Sequence, residues 1–220
     1  MIPKILHQIW VGGPMPDHLS AYCRQLRDLH PDWEYRLWSA DDLAWIRHRD
    51  LFDRWEELAP LNRGQFQANI ARLEVLHRHG GIYLDCDMEP RKPLDPLLPE
   101  IRTGAFLVWQ REPGHRRGKL LSNAAMGAEP DHPTIGHLID GLAANVARNA
   151  GMRCTHTCGV KYVTRQLART RLPVDRLPSK MFFPYLPDQM DRAGNDFPDA
   201  YAVHHWHNQR SGGHVGRWAR

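Results

Sequence analysis

The chain has 220 residues, 42% of them apolar and 25% charged, and carries a formal net charge of +4. Those values suit one globular domain and exclude both a disordered chain and a disulfide-stapled miniprotein. No apolar run approaches the roughly 18 residues of a membrane span, and the first residues lack the apolar stretch of a signal peptide. The expectation is a cytoplasmic protein whose mildly basic balance favours anionic partners. No Lys/Arg run is long enough to act as a nucleic-acid arm, so nucleic acid is not expected among those partners. The four cysteines, Cys23, Cys86, Cys154 and Cys158, read as free thiols.

In chain order, residues 4–10 (KILHQIW) read as a first strand, ended by Gly12, Gly13 and Pro14. Residues 17–29 carry Leu19, Tyr22, Leu26 and Leu29 at helical spacing, with Asp17 as N-cap. Alternation of Trp33, Tyr35 and Leu37 predicts a strand, and Ser39 to Asp42 opens a helix in the manner of a capping box. A helix over 63–79 stops at Gly80-Gly81, and the apolar run Ile82-Tyr83-Leu84 reads as a buried strand. Then follow a strand over 105–109, a basic loop (Arg111, Arg116, Arg117, Lys119), and helices over 133–146 and 160–167. A last strand covers 200–206, and the glycine-rich tail 208–220 completes the chain. Strands alternating with helices, without internal repeats, predict a single α/β domain over 1–220 with a largely parallel sheet.

The chemistry concentrates at Asp85-Cys86-Asp87. In extended chain, residues two apart project to one side, so Asp85 and Asp87 can aim two carboxylates at one point just past a strand end. Open α/β sheets bind their ligands in that crevice. Two hard oxygen donors suit Mn2+ or Mg2+, which keep other positions for water and phosphate. A bare DxD is also a common pair of turn or capping aspartates; the buried strand and double-glycine stop before it weigh toward the metal. On the preceding helix, Asn69 falls inside the apolar stripe of Phe66, Ile70 and Leu73, with Arg72 at its edge. A buried amide and guanidinium there either bind hydroxyls and phosphate or are satisfied internally, and the helix by itself favours internal satisfaction.

The opening Ile2-Pro3-Lys4-Ile5-Leu6-His7-Gln8-Ile9-Trp10 and the block from Asn69-Ile70-Ala71-Arg72 to Gly80-Gly81-Ile82-Tyr83-Leu84-Asp85-Cys86-Asp87 resemble the DXD-containing glycosyltransferases of family 32. Lys92-Pro93-Leu94-Asp95, Asn123 with Gly127, His132-Pro133, and His204-His205-Trp206 extend the resemblance over most of the chain, more loosely toward the C-terminus. That family includes α-mannosyl, α-galactosyl and capsular polysaccharide transferases. The resemblance implies a GT-A fold, a nucleotide-diphosphate sugar donor, a divalent metal, retention of anomeric configuration, and a saccharide or lipid-linked saccharide acceptor. Carried over, Ile9 and Trp10 hold the base and ribose, and Arg72 contacts the donor. Asp85 contacts the ribose or the metal's water shell, Asp87 ligates the metal, and Asn123 faces the donor sugar or the acceptor. The family usually has Asp where this chain has Asn69. An amide there changes donor choice or lowers activity, which leaves a nucleotide-sugar-binding protein with little turnover as an alternative.

At the C-terminus, one of His204 and His205 is expected to complete the metal's coordination, because imidazole is a competent Mn2+ ligand and two carboxylates leave the sphere incomplete. The glycines of the tail permit hinge motion, so 208–220 is expected to act as a lid, with Arg217 or Trp218 closing over the diphosphate. Cys154, His156 and Cys158 suggest zinc only weakly, since such a pair normally needs a second elsewhere. The basic loop reads mainly as solvated surface, with contact to an anionic acceptor at a membrane surface as the alternative. A phosphohydrolase using the Asp pair would need a nucleophilic Asp in a Thr or Val context that this chain lacks.

Overall fold

A computed structural model describes residues 1–60 and 62–207. Among the described residues the strands are β1 (Ile5–Ile9), β2 (Glu34–Trp38), β3 (Gly81–Leu84), β4 (Met88–Pro90), β5 (Ala105–Arg111), β6 (Leu120–Ala128), β7 (Asp175–Leu177) and β8 (Ala202–His204). The helices are α1 (Asp17–Asp28), α2 (Arg49–Asp53), α3 (Trp55–Leu58), α4 (Arg63–His79), α5 (Pro133–Asp140), α6 (Leu142–Arg148), α7 (Cys154–Thr157) and α8 (Val160–Ala168). Six strands form one sheet in the order β2-β1-β3-β6-β5-β7, and β4 and β8 form a separate two-stranded ribbon. β1 is parallel to β2 and β3, and β5 is parallel to β7; β6 alone runs against its neighbours β3 and β5. The expected α/β fold with a mostly parallel sheet is therefore present, with one reversed strand near its middle.

One apolar core packs on the α4 and α8 side of the sheet (Phe66, Ile70, Leu73, Leu107, Leu121, Tyr162). A second, around Leu6, Ile82, Leu84, Phe106 and Phe182, packs on the other side. Helix α4 is not a one-sided amphipathic helix, as the apolar stripe predicted: every residue from Phe66 to Leu76 is buried. Such a helix lies across the middle of a core, and its Gln67, Asn69, Arg72 and Glu74 must find partners inside it. Gly80 ends it at φ +65°, where a Cβ would meet Pro130 Cδ at 2.7 Å and Pro3 Cγ at 2.8 Å. Only glycine fits both that conformation and that gap, so the chain turns straight from α4 into β3.

Several local expectations are corrected. Pro16 rather than Asp17 holds the N-cap position of α1, and Asp17 sits in the first turn. The Ser39–Asp42 box forms, with Asp42 Oδ2 accepting from the Ser39 amide (2.9 Å) and hydroxyl (2.6 Å), but it opens a 3-10 turn over Asp41–Leu43. The helix predicted over 133–146 breaks at Gly141 into α5 and α6. The strand expected over 200–206 contracts to β8 and leaves the main sheet to pair with β4. Strand β6 has no counterpart in the sequence reading: Leu-Leu-Ser-Asn-Ala-Ala-Met-Gly-Ala lacks alternation and β-branched residues because both its faces are buried.

Candidate active site

The C-terminal ends of β1 and β3 and the N-terminal end of β6 share one edge of the sheet, and the polar groups collect there. The main chain of Asp85 is fixed first: its amide donates to Ala124 O (2.9 Å), and its carbonyl accepts from the Met88 amide (3.1 Å). Its two carboxylate oxygens then divide. Oδ1 lies 3.1 Å from Arg72 Nη1 and accepts the Tyr83 hydroxyl at 2.7 Å, while Oδ2 lies 3.7 Å from His204 Nε2. Asp87 Oδ2 accepts the His207 amide (2.9 Å), and its Oδ1 lies 3.3 Å from His204 Nε2. Asp85, Asp87 and His204 thus each offer one ligand atom, all within 4.8 Å of one another, and no other such group of three occurs among the described residues.

Arg72 is 3% exposed. Its Nε donates to Ala68 O at 3.0 Å, its Nη1 donates to Asn123 O, and its guanidinium lies 4.5 Å over the Tyr83 ring. Burial works against its charge, but Asp85 holds its pKa above the ordinary value. Burial likewise works against ionisation of Asp85, yet Arg72, and His204 beside it, keep its pKa below the usual carboxylate range. Burial pushes His204 down; Asp87 and Asp85 outweigh that and leave its pKa raised. The site therefore holds two carboxylates against one fixed cation, and the imidazole is drawn toward the imbalance.

Not every expected residue comes to this point. His205 turns away, with Nε2 on Glu89 Oε2 (2.7 Å) and Nδ1 on the Tyr185 hydroxyl (3.0 Å). Strand alternation accounts for this: neighbouring side chains project to opposite sides, so with His204 facing the aspartates His205 takes the other side, and Trp206 at φ +55° then ends the extended chain. Ile9 is buried in the α4-side core, and only its carbonyl faces the motif, accepting the Cys86 thiol at 3.5 Å. Trp10 is half-buried, with its indole N–H on Gly13 O at 2.6 Å. Asn69 Oδ1 accepts from Asn123 Nδ2 (2.9 Å), and its own amide donates to Cys158 Sγ (3.6 Å). Asn69 and Asn123 therefore support each other next to Arg72. Trp218, Arg217 and the proposed lid 208–220 lie outside the described residues.

The other cysteine readings follow from burial. The hydrogen bond with Cys23 and burial together push the Cys86 thiol well up. Burial raises Cys154 to about 12 and Cys158 to about 11, and among the described residues no third ligand joins them to form a metal-holding group. Sequence reasoning missed Tyr83. Its position two residues before Asp85, on the same face of the strand, was the available signal.

Residues 16–103 match the model of the glycosyltransferase sugar-binding region containing the DXD motif. Over that segment the chain is similar to the DXD-containing glycosyltransferases. Among its relatives are inositol phosphoceramide mannosyltransferase 2 of Schizosaccharomyces pombe, 34% identical over 66% of this chain and 39% of that protein. Mannosyl phosphorylinositol ceramide synthase SUR1 of Saccharomyces cerevisiae is 33% identical over 60% of this chain and 32% of its own. The chain thus spans well under half the length of these relatives. The PaToxG glycosyltransferase superposes with a TM-score of 0.59 at 17% identity, over 76% of this chain and 69% of that one. The galactosyltransferase LgtC, solved with donor and acceptor sugar analogues, gives 0.54 at 11% identity, over 92% and 87%. Those likenesses establish the GT-A fold. The matched segment contains Asp85-Cys86-Asp87, a DxD sequence. Among the described residues no helix is long and apolar enough to cross a membrane.

Proposed function

We propose that this glycosyltransferase transfers a hexose from a nucleoside-diphosphate sugar to a saccharide or glycolipid acceptor, with retention and with dependence on a divalent metal. The observation that carries this reading is the convergence of Asp85, Asp87 and His204 within 4.8 Å at the sheet edge. Two carboxylate oxygens and one imidazole nitrogen form a donor set that suits Mn2+, and less strictly Mg2+. When bound there, the ion supplies positive charge against the diphosphate leaving group. Asp87 Oδ1, Asp85 Oδ2 and His204 Nε2 would hold it.

The protein's own groups do the rest. Arg72 and Tyr83 fix Asp85 Oδ1, so Oδ2 is the oxygen left to face the ligand. Asn123, braced by Asn69, stands on β6 beside this pair as the candidate contact for the donor sugar or the acceptor. The bond from the anomeric carbon to the phosphate oxygen breaks, and the bond from that carbon to the acceptor oxygen forms on the same face. The acceptor proton passes to the departing phosphate oxygen. A double-displacement route would need a carboxylate nucleophile, and the carboxylates at this edge are engaged by Arg72, Tyr83, His204 and the His207 amide. The binding-only alternative finds no support, since the named relatives are transferases. Because those relatives are named as mannosyltransferases, a mannose donor is the first choice for assay.

The test is hydrolysis and transfer across a panel of nucleoside-diphosphate hexoses, with Mn2+ and with EDTA, and with the product anomer read by NMR. Turnover that survives EDTA and the Asp87→Ala change would refute the metal-dependent reading, and an inverted product would refute retention.

A further inference from the structure

The face of α4 turned away from Asp85 walls a cavity of about 450 Å3, lined by Trp45, Arg47, Glu74, His77, Arg78 and Asp140 among others. That volume falls within the usual range of small-molecule sites. Glu74, His77 and Arg78 come from α4, Asp140 ends α5, and Trp45 and Arg47 stand in the loop before α2. At about 100° per residue, the three α4 side chains leave the helix roughly 140–240° round from Arg72. Arg72 reaches Asp85 from the other side, so α4 itself stands between this cavity and the reaction centre.

Polar groups in its wall have capacity to spare. Glu74 is buried, and its Oε1 takes both the His48 amide (3.1 Å) and the His48 ring Nδ1 (2.8 Å). Its Oε2 has no partner among the described residues, yet it is not sealed off, since the side-chain atoms buried without one are Arg111 Nε and His137 Nε2. Oε2 is therefore open to the cavity. The indole N–H of the half-buried Trp45 is in the same condition. Its ring is held in place by Arg78, 4.4 Å over it, and by edge contacts with Trp38 and His79. Arg47 and Asp140 form an exposed ion pair. Such a pair adds little stability, so a ligand can share its donors and acceptors at small cost. Two guanidinium groups and two carboxylates line the cavity, which leaves it without net charge while His77 is neutral. A phosphate would need a surplus of cations and an ammonium a surplus of anions; an uncharged polyol needs neither.

We infer that this cavity is a non-catalytic binding site for an uncharged sugar residue, separate from the site of transfer. Planar carboxylate and guanidinium groups can each bridge two neighbouring hydroxyls, with Glu74 Oε2 and Asp140 accepting and Arg47 and the Trp45 indole N–H donating. The exposed part of the indole gives apolar surface to the C–H groups of a pyranose. The site depends on neither the donor nor the metal. Its role is to hold a sugar-bearing molecule on the protein, not to react with it.

The test is NMR titration of the whole chain with methyl α-mannoside, methyl α-glucoside and methyl α-galactoside as neutral probes, and with glucose 6-phosphate and glucosamine as charged ones. At least one neutral glycoside is expected to bind in the millimolar range and to shift a Trp indole N–H resonance, the one that Trp45→Phe removes. Trp45→Ala, Arg47→Ala and Glu74→Gln should each weaken that binding about five-fold, the effect of losing one hydrogen bond or ring contact. Arg148→Ala, which removes an exposed charge on α6, and Asp87→Ala should leave it unchanged. Arg47 is exposed, so its variant decides the matter even where Trp45→Ala disturbs the fold. Binding of Mn2+ with UDP or GDP should be the same in the wild type and the three cavity variants. No binding of any neutral glycoside at tens of millimolar overturns the inference, and so does tighter binding of a charged probe at the same resonance. Sugar binding that Asp87→Ala abolishes, or that Mn2+ with UDP or GDP displaces, also overturns it, because the sugar then sits at the reaction centre. A wild type that binds a glycoside at Trp45 but neither UDP nor GDP with Mn2+ refutes the donor reading and supports this site.

Discussion

The two ends of β3 each face a buried histidine, and the two imidazoles are shifted in opposite directions. His7, on β1 beside the start of β3, is fully buried; its ring lies 2.9 Å from Gly80 O and accepts the Trp38 indole N–H at 3.1 Å. Burial pushes it down to about 4, and the nearby His79 and Arg36 add to the shift. His204, almost as buried, is moved up because Asp87 and Asp85 face it. Burial alone therefore marks neither residue as functional. What separates them is the charge balance of the surroundings: complete around His7, short of a cation around His204. Buried negative charge in excess is costly unless something positive arrives to meet it.

The harshest test of that contrast removes the one fixed cation. Arg72→Met leaves the half-buried Asp85 without its fixed cation, which should cost up to about 3 kcal/mol of stability by urea titration and abolish transfer. Adding Asp85→Asn to that variant should restore part of the stability and none of the activity. If the double variant is no more stable than Arg72→Met, the loss comes from packing over Tyr83, and the charge account of this end is wrong.

The next test acts on the excess itself. Asp87→Asn should weaken Mn2+ binding in the presence of a nucleoside diphosphate by about a hundred-fold or more, since loss of even an outer-shell partner costs 10–100-fold. Cys86→Ala, which leaves the charges in place, should change it little. Equal losses in the two variants would mean that the loop's shape, and not its carboxylates, holds the ion.

The other end makes its own prediction in pH. The folded pKa of His7 lies below its unfolded value of about 6.5, so the unfolded chain binds the extra proton first. The stabilising neutral form is complete above that value and is lost progressively as pH falls toward 4. Between pH 6.5 and 5 this amounts to at most about 2 kcal/mol at 1.36 kcal/mol per unit. His7→Gln should flatten the pH dependence of Tm over that window; an unchanged slope would assign it to other groups.

The two ends also differ in how much of them the sequence discloses. The run from Asn69 to Asp87 is legible because three local signals coincide: helical period, a double-glycine stop and a short apolar strand. The GT-A fold class and the approach of one of the two C-terminal histidines to the Asp85–Asp87 pair follow from them once the family resemblance is added; which histidine it is does not. β6 is not legible, because a strand buried on both faces shows no alternation, and so the neighbourhood of Asn123 is not legible either. A strand over 200–206 lets only one of His204 and His205 face the aspartates, and the pairing of β8 with β4, a tertiary contact, decides for His204. The pairing of Trp38 with His7 spans 31 residues and is a tertiary fact that no local window contains.

The smallest expected effect is the most discriminating. Tyr83 touches the reaction centre only through its hydroxyl, which donates to Asp85 Oδ1 at 2.7 Å, while its ring lies under the Arg72 guanidinium. Tyr83→Phe keeps the ring, the packing and the cation–π contact and deletes one hydrogen bond, so stability should fall by only about 1 kcal/mol. Asp85 then loses one of the two contacts that reserve Oδ2 for the ligand, and the carboxylate can rotate. Small displacements of a positioning group cost rate out of proportion to stability, up to about 10²-fold for an ångström, and a loss nearer ten-fold is expected here because Arg72 still restrains Oδ1. That loss should fall on kcat, with KM for the donor sugar nearly unchanged, since the hydroxyl orients a ligand-facing oxygen without contacting the donor. A rise in KM at constant kcat would instead make Tyr83 part of the donor-binding surface. No change in either would show that Arg72 alone sets the carboxylate, and that the divided use of Asp85's oxygens has no kinetic consequence.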